Sequence, residues 1–539
     1  MTSFSEYESL NFRRYKRNNK VLLNFYSFLK LFSCFCNERK GRNRITSTTN
    51  EIFEMSATQL AYYIRNKKIS SFEVVSNFIE RQKQVNPVLN AIVADRYEDA
   101  LQEARNVDKF LETTELTETE LSERKPLLGV PITVKESLSM QGMPLVVGAK
   151  NRRGFIAEKH GESVRMVIEA GGIPLCVTTT PELCISNETN NLVTGKTNNP
   201  YNIGTTCGGS SGGEGALISS AASVCGLGSD IMGSVRIPAA FCGIFGHKPS
   251  TGVVDISGHV PWSEEPLFKK CLSIGPLCRY AEDLLIVTKI LTKNNPLLRL
   301  DEKVNLNNIN VHFMEDNGNP ANTLKVHPLI KHRIKQSVDH FRNKWKCHIS
   351  DVKFDDARFD PVIIALFLSY QNDYISDNVK VGYQWMKSIF GKADYSMGLL
   401  LYLLGKNHPK LLIDSCETDT ILKFVTHFEQ KIDHVLGDNG ILLYPTFPTP
   451  AFKHGASCFT LSSCTYPGLA NLLGLPATTV PVGLTENGLP VGIQVIAARN
   501  QDRLCLAVAK ELESVFGGWL PPFDTNTGAS GQFRAAAQV

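Results

Sequence analysis

The stretch Thr205–Gly215, TTCGGSSGGEG, crowds glycines around two adjacent serines, a mixture that neither a helix interior nor a strand interior uses. Three readings compete for it. A phosphate-binding loop ends in Gly-Lys-Ser/Thr, and this stretch runs instead into Gly212-Gly213-Glu214-Gly215, so the nucleotide reading is weak. Gly208-Gly209-Ser210-Ser211-Gly212 satisfies G-x-S-x-G, the nucleophile elbow, with His247 or His454 as available bases. An elbow sits between a strand and a helix, however, and the preceding KTNNPYNIGTT reads as loop. The third reading joins the stretch to its surroundings. A second glycine loop, Gly228–Gly252, GSDIMGSVRIPAAFCGIFGHKPSTG, carries Ser234, and Lys135 stands at the end of an apolar β-branched run, PLLGVPITVKES, Pro126–Ser137.

Around these loops the chain alternates between helical and strand patterns. SATQ from Ser56 and SSFE from Ser70 each have the form of a capping box, and YEDALQEARNVDKFLE keeps a helical period. SVRMVIEAGGIPLCVTT reads as a helix stopped at Gly171-Gly172 and then a strand. GLPVGIQVIAA reads as two strand runs, and DRLCLAVAKELESVF as an amphipathic helix. The alternation predicts an α/β fold whose sheet carries helices on its faces. No linker-like composition interrupts it, which predicts one unit over 51–522 followed by a small, polar, disordered tail, 523–539.

The 539 residues are 42% hydrophobic and 20% charged, as in soluble globular chains. A net charge of +4 without a basic, aromatic-interleaved stripe argues against nucleic acid. The 14 cysteines lack CxxC or zinc spacing, so they read as small core residues, with neither a disulfide framework nor a metal site. Residues 1–50 differ. The apolar run Val21–Cys36 is flanked by Arg13, Arg14, Lys16, Arg17 and Lys20 on one side and Arg39, Lys40, Arg42 and Arg44 on the other. It is short for a span, which needs about twenty residues. Lys20, Asn24, Ser27 and Lys30 gather on one helical face, opposite Leu22, Phe25, Tyr26, Leu29 and Phe32. That pattern predicts a membrane-associating segment, either an interfacial helix or a single span.

The block GGSSGGEGALI…GLGSDIMGSVRIPAAFCGIFGHKPS resembles the signature of the amidase signature hydrolases, and LLGVPITVKES matches that family's lysine strand. LLYPTFPTPAFKHG and the long segment from Gly468 to Trp519 are similar to the C-terminal part of the fatty-acid amide hydrolases, nearest to their second type, so the likeness covers about 51–522. The resemblance implies a large mixed twisted sheet covered by helices on both faces. It implies a Ser/cis-Ser/Lys triad of Ser234 as nucleophile, Ser210 as proton relay and Lys135 as base, the last needing a depressed pKa to be neutral. It places an oxyanion hole on the backbone N–H groups of Ile231, Met232, Gly233 and Ser234, and a pocket wall at Cys184. No metal or other cofactor is implied.

One position departs from the family. Relatives usually carry Gly-Gly before the nucleophile, where this chain has Met232-Gly233; if position 232 needs positive φ, methionine is strained there, and its side chain can crowd the acyl carbon, so that activity falls or the substrate shifts. Asp230 and Arg236 read as braces of the loop. Ser396–Asn407, SMGLLLYLLGKN, and Val362–Tyr370, VIIALFLSY, are apolar segments in the region where fatty-acid amide hydrolases hold the acyl chain. The expectation is a membrane-associated serine amidase, placed on intracellular membranes, that hydrolyses fatty-acid primary amides or N-acylethanolamines. The alternatives are an amidase for smaller amides or esters and an impaired lipid-binding member. Homodimerisation, acyl preference and membrane side stay open. Asn187-Glu188-Thr189 fits a glycosylation acceptor.

Overall fold

A computed structural model describes residues 45–318, 323–352, 374–375, 379–407 and 418–523. The basic amphipathic segment Val21–Cys36, the run Val362–Tyr370 and residues 524–539 lie outside them. Phe523, assigned to the tail by sequence, is buried: its ring meets Trp519 edge-on and lies beneath the Arg81 guanidinium, 4.7 Å from ring centroid to Cζ.

The centre is one eleven-stranded sheet. In chain order its strands are β1 (Ile92–Asp95), β2 (Pro131–Lys135), β3 (Ile173–Thr178), β4 (Cys225–Asp230), β5 (Phe245–Lys248), β6 (Ser273–Cys278), β7 (Asn310–Phe313), β8 (His348–Asp351), β9 (Gly440–Pro445), β10 (Ala477–Leu484) and β11 (Pro490–Ala497). Their order across the sheet is β1-β3-β2-β4-β6-β5-β10-β11-β9-β7-β8. The sheet is mixed. β3, β2 and β4 run parallel to one another, as do β9, β7 and β8, and the strands between β4 and β9 alternate antiparallel. Every residue of β2, β3, β4 and β6 is buried, as expected of strands covered on both faces.

Helices α1 (Ala57–Arg65), α2 (Ser71–Leu89), α3 (Tyr97–Thr113), α4 (Glu162–Glu169), α5 (Gly212–Ser219), α6 (Arg236–Phe241), α7 (Met397–Asn407) and α8 (Asp502–Phe516) join the layers. The Ser56 box forms in full with Gln59; at Ser70 only half forms, the hydroxyl accepting from Glu73 N–H at 3.0 Å. Two expectations change. GLPVGIQVIAA makes one strand, β11, whose hairpin partner is the preceding β10, because the Pro490 register follows directly from the Thr485–Gly488 turn. KTNNPYNIGTT contains a short strand, Asn202–Thr206, paired with Asn198–Asn199 in a separate ribbon and not in the central sheet. Among the described cysteines, nine are buried and two half-buried, none in a disulfide, in keeping with the core role. No described helix is long and apolar enough to cross a membrane.

Candidate active site

The parallel pairing of β2 with β4, Val134 opposite Leu227, brings the two strand ends side by side, so that Lys135 reaches Ser229. Lys135 is fully buried. Its Nζ lies 2.7 Å from Ser210 Oγ, 2.9 Å from Ser229 Oγ and 3.4 Å from the Ser229 carbonyl oxygen. Burial drives its pKa below the ordinary lysine value, against the pull of Cys184, Asp230 and Glu214.

The glycines of the opening stretch now have a reason. Gly208 has φ +86°, and a Cβ there would stand 2.8 Å from Pro238 Cα, so the chain can pass under α6 only without a side chain. The next peptide, Gly209–Ser210, is cis, and Ser210 is buried. Ser211 N–H then donates to the Ser234 carbonyl at 3.1 Å, tying the two glycine loops together just before α5 begins. Ser210 and Ser234 line the same cleft. Among the described residues, none exchanges a hydrogen bond with the Ser234 hydroxyl, which opens on that cleft.

Asp230 shapes the loop that carries Ser234. Its carboxylate accepts from Gly233 N–H at 2.6 Å and Val235 N–H at 3.1 Å, and from Arg236 Nε and Nη2 at 3.0 and 3.1 Å. Arg236 also donates to Gln494 and Asn471, and Asn471 donates back to Asp230 at 2.9 Å. Burial alone would raise the Asp230 pKa; the Arg236 charge and these donors reverse that and hold it far below the usual carboxylate range. Asp230 and Arg236 thus brace the loop.

The same bonds sort the expected oxyanion donors. Gly233 N–H is engaged by Asp230, whereas those of Ile231, Met232 and Ser234 meet no acceptor among the described residues. The feared strain at Met232 is absent. The left-handed conformation falls on Gly233, φ +101°, where a Cβ would stand 2.5 Å from Pro467, and Met232 keeps negative φ. Its half-buried side chain lines the cleft.

The cleft occupies about 960 Å³ including its mouth, and its walls are mainly apolar, among them Ile231, Met232, Phe268, Leu272, Leu401 and Leu461. Leu401 comes from SMGLLLYLLGKN, which forms α7. Cys184 also lines it, at φ +61°, its Sγ 3.4 Å from Thr180 Oγ1. The elbow histidines are elsewhere: His247 pairs with Asp502 and Thr478, and His454 with Glu188 and the Ile203 carbonyl. Asn187 is buried with its amide donating to Thr460 Oγ1 at 2.8 Å, which leaves no room for a glycan on the folded chain.

Sequence reasoning passed over three neighbours. Glu214, the one charged residue in α5, accepts from Thr133 Oγ1 at 2.5 Å and Thr178 Oγ1 at 2.7 Å, and burial pushes its carboxyl up to about 7. Its sequence signal was a lone charge in an otherwise small and apolar helix. Ser229 touches Lys135, and His259 touches Ser229; neither stands in a pattern that a single sequence reveals.

The fold is of the α/β class, built around one mixed sheet, and it sets a buried lysine among serines at the wall of an apolar cleft. The Amidase family profile matches residues 73–338 and 415–506. Fatty-acid amide hydrolase 2-A of Danio rerio is 37% identical over 520 residues, covering 93% of this chain and 95% of that protein. Fatty-acid amide hydrolase 2 of Homo sapiens is 38% identical, covering 88% and 91%. A solved fatty acid amide hydrolase superposes with TM-score 0.70 at 21% identity over 87% of this chain and 86% of that one. The chain belongs to the amidase signature family and is an amidohydrolase acting on carbon–nitrogen bonds.

Proposed function

We propose that this chain hydrolyses fatty-acid amides, either primary amides or N-acylethanolamines, through an acyl-enzyme on Ser234. The observation that carries the reading is a fully buried Lys135 amine 2.7 Å from Ser210 Oγ, beside a Ser234 hydroxyl that opens on a large apolar cleft. In the first step Ser234 Oγ bonds to the amide carbon as its proton passes to Ser210 Oγ, whose own proton moves to the neutral Lys135 amine. The carbonyl electron pair moves onto oxygen, facing the N–H groups of Ile231, Met232 and Ser234. On collapse the C–N bond breaks, the leaving nitrogen takes a proton from Ser210, and Lys135 returns one to Ser210. Water then attacks the acyl carbon, its proton passing to Ser210 as Ser210's own passes to Lys135; the C–O bond to Ser234 breaks, Ser234 takes a proton back from Ser210 and Ser210 one from Lys135, and the fatty acid leaves.

The lipid assignment is supported by the apolar walls of the cleft, which suit a long acyl chain. Access from a membrane is supported by the basic, amphipathic residues 1–50. We assign the amidase domain to residues 51–522. The impaired reading loses its backbone-strain motive, because Met232 does not occupy the left-handed backbone. The test is labelling of the folded chain by an alkyl fluorophosphonate with an acyl-amide series alongside. The reading expects a single adduct on Ser234 and rates that rise with chain length; no adduct, or preference for short amides, refutes it.

A further inference from the structure

His259 approaches the site from behind Lys135. It lies in the loop between β5 and β6, is buried and borders the cleft, and its Nε2 stands 2.9 Å from Ser229 Oγ. Its Nδ1 stands 2.8 Å from the Pro261 carbonyl oxygen. A carbonyl oxygen only accepts, so Nδ1 must carry the ring proton. Burial above all pushes the imidazole pKa down, to about 3, so the ring is neutral and Nε2 presents a bare lone pair. The Ser229 hydroxyl therefore donates to His259, and its oxygen is left to accept, from Lys135 Nζ at 2.9 Å and from Ser137 Oγ at 3.3 Å.

This fixes the polarity of the bonds between the lysine and its three oxygen neighbours. A neutral amine has two N–H donors and one lone pair. Ser229 Oγ, with its proton committed to His259, takes one N–H; the Ser229 carbonyl, 3.4 Å away, takes the other. The remaining oxygen is Ser210 Oγ at 2.7 Å, and of the three oxygens only it has a proton to offer; the Cys184 thiol beside the amine is a much weaker donor than a hydroxyl. We propose that His259 is a positioning residue that holds Ser229 as an acceptor and so reserves the Lys135 lone pair for the Ser210 hydroxyl. Without it the Ser229 hydroxyl is free to turn and donate to that lone pair, in competition with the relay. The inference rests on the proposed roles of Lys135 and Ser210.

The test uses the full chain with two readouts: the second-order rate of alkyl fluorophosphonate labelling at Ser234, and kcat and KM for a long-chain primary amide. His259→Leu removes the acceptor, and His259→Asn removes it while keeping a donor toward Pro261, so folding need not limit both variants. Each is expected to slow labelling and kcat about tenfold, the worth of one neutral hydrogen bond, with KM nearly unchanged. His259→Gln, whose Oε1 stands near the Nε2 position, is expected to recover most of the rate. Adding His259→Leu to Ser229→Ala should cost nothing further, because no hydroxyl remains to turn. Wild-type rates in the Leu and Asn variants, an equal loss in Gln, a loss confined to KM, or a full loss persisting on the Ser229→Ala background would each overturn the inference while leaving the nucleophile assignment intact. Absence of Ser234 labelling in the wild type would instead sink the reading of the site and this inference with it.

Discussion

Replacing Lys135 by methionine separates the claim that this amine is depressed in pKa from every other claim about the site. The variant keeps the length of the side chain and removes the amine. Above pH 10.5 the wild-type lysine is neutral in both folded and unfolded chains, so the variant loses only hydrogen bonds. Ser210 Oγ, Ser229 Oγ and the Ser229 carbonyl then lack their buried partner, and at about 1 kcal/mol each the deficit is roughly 3 kcal/mol. Below that pH the unfolded chain binds a proton at Lys135 that the folded chain resists, because burial holds the folded pKa down. The wild type therefore gains stability as pH rises from the folded pKa to 10.5, at about 1.4 kcal/mol per pH unit. The variant lacks this slope, so its deficit shrinks by that amount for each unit of acidification. Urea unfolding of both proteins from pH 7 to 10 reads the difference, in which other titrating groups cancel. A constant difference across that range would show that Lys135 keeps an ordinary pKa and could not act as a base at neutral pH. Activity should fall by about 10² to 10⁴, the range for losing a general base.

The other expectations are simpler. Arg236→Met leaves Asp230 buried and unpaired, and should cost about 3 to 5 kcal/mol in urea unfolding, with loss of Ser234 labelling as the loop relaxes. His247→Ala should lower stability through Asp502 and Thr478, yet leave Ser234 labelling per folded molecule unchanged; loss of labelling would revive the elbow reading. Leu401→Glu, on the cleft wall, should raise KM for long-chain amides by about tenfold or more, from 1.5 to 3 kcal/mol of lost apolar burial, and leave short amides unaffected. Met232→Gly should cost about 0.5 to 1 kcal/mol of stability through backbone entropy and shift selectivity toward bulkier acyl groups, measured as kcat/KM ratios.

The lysine strand was legible because β2 is buried on both faces and so appears as an unbroken apolar run that ends in a charge. The capping serines and the α8 period were legible for similarly local reasons. The β10–β11 hairpin differs from the sequence pattern because Pro490 and Gly492 inside GLPVGIQVIAA mimic a turn, whereas the turn, Thr485–Gly488, lies before them. The backbone at Met232 was not decidable from sequence, since either residue of a Met-Gly pair can sit beside a tight turn; the Asp230 carboxylate settles it by pinning Gly233 N–H. Glu214 left a faint signal as a charge among small residues. His259 left none, because its meaning depends on Ser229 and Pro261, which the fold alone brings to its two nitrogens.

The central claim is that Ser234 forms the covalent intermediate, with Ser210 only passing protons. Rapid quenching of the folded chain with a long-chain amide, followed by intact-mass analysis and peptide mapping, tests it most directly. The account predicts a transient gain of one acyl group less one hydrogen, mapped to Ser234 and absent in Ser234→Ala. An acyl group on Ser210, or turnover with no adduct and full activity in Ser234→Ala, would contradict it.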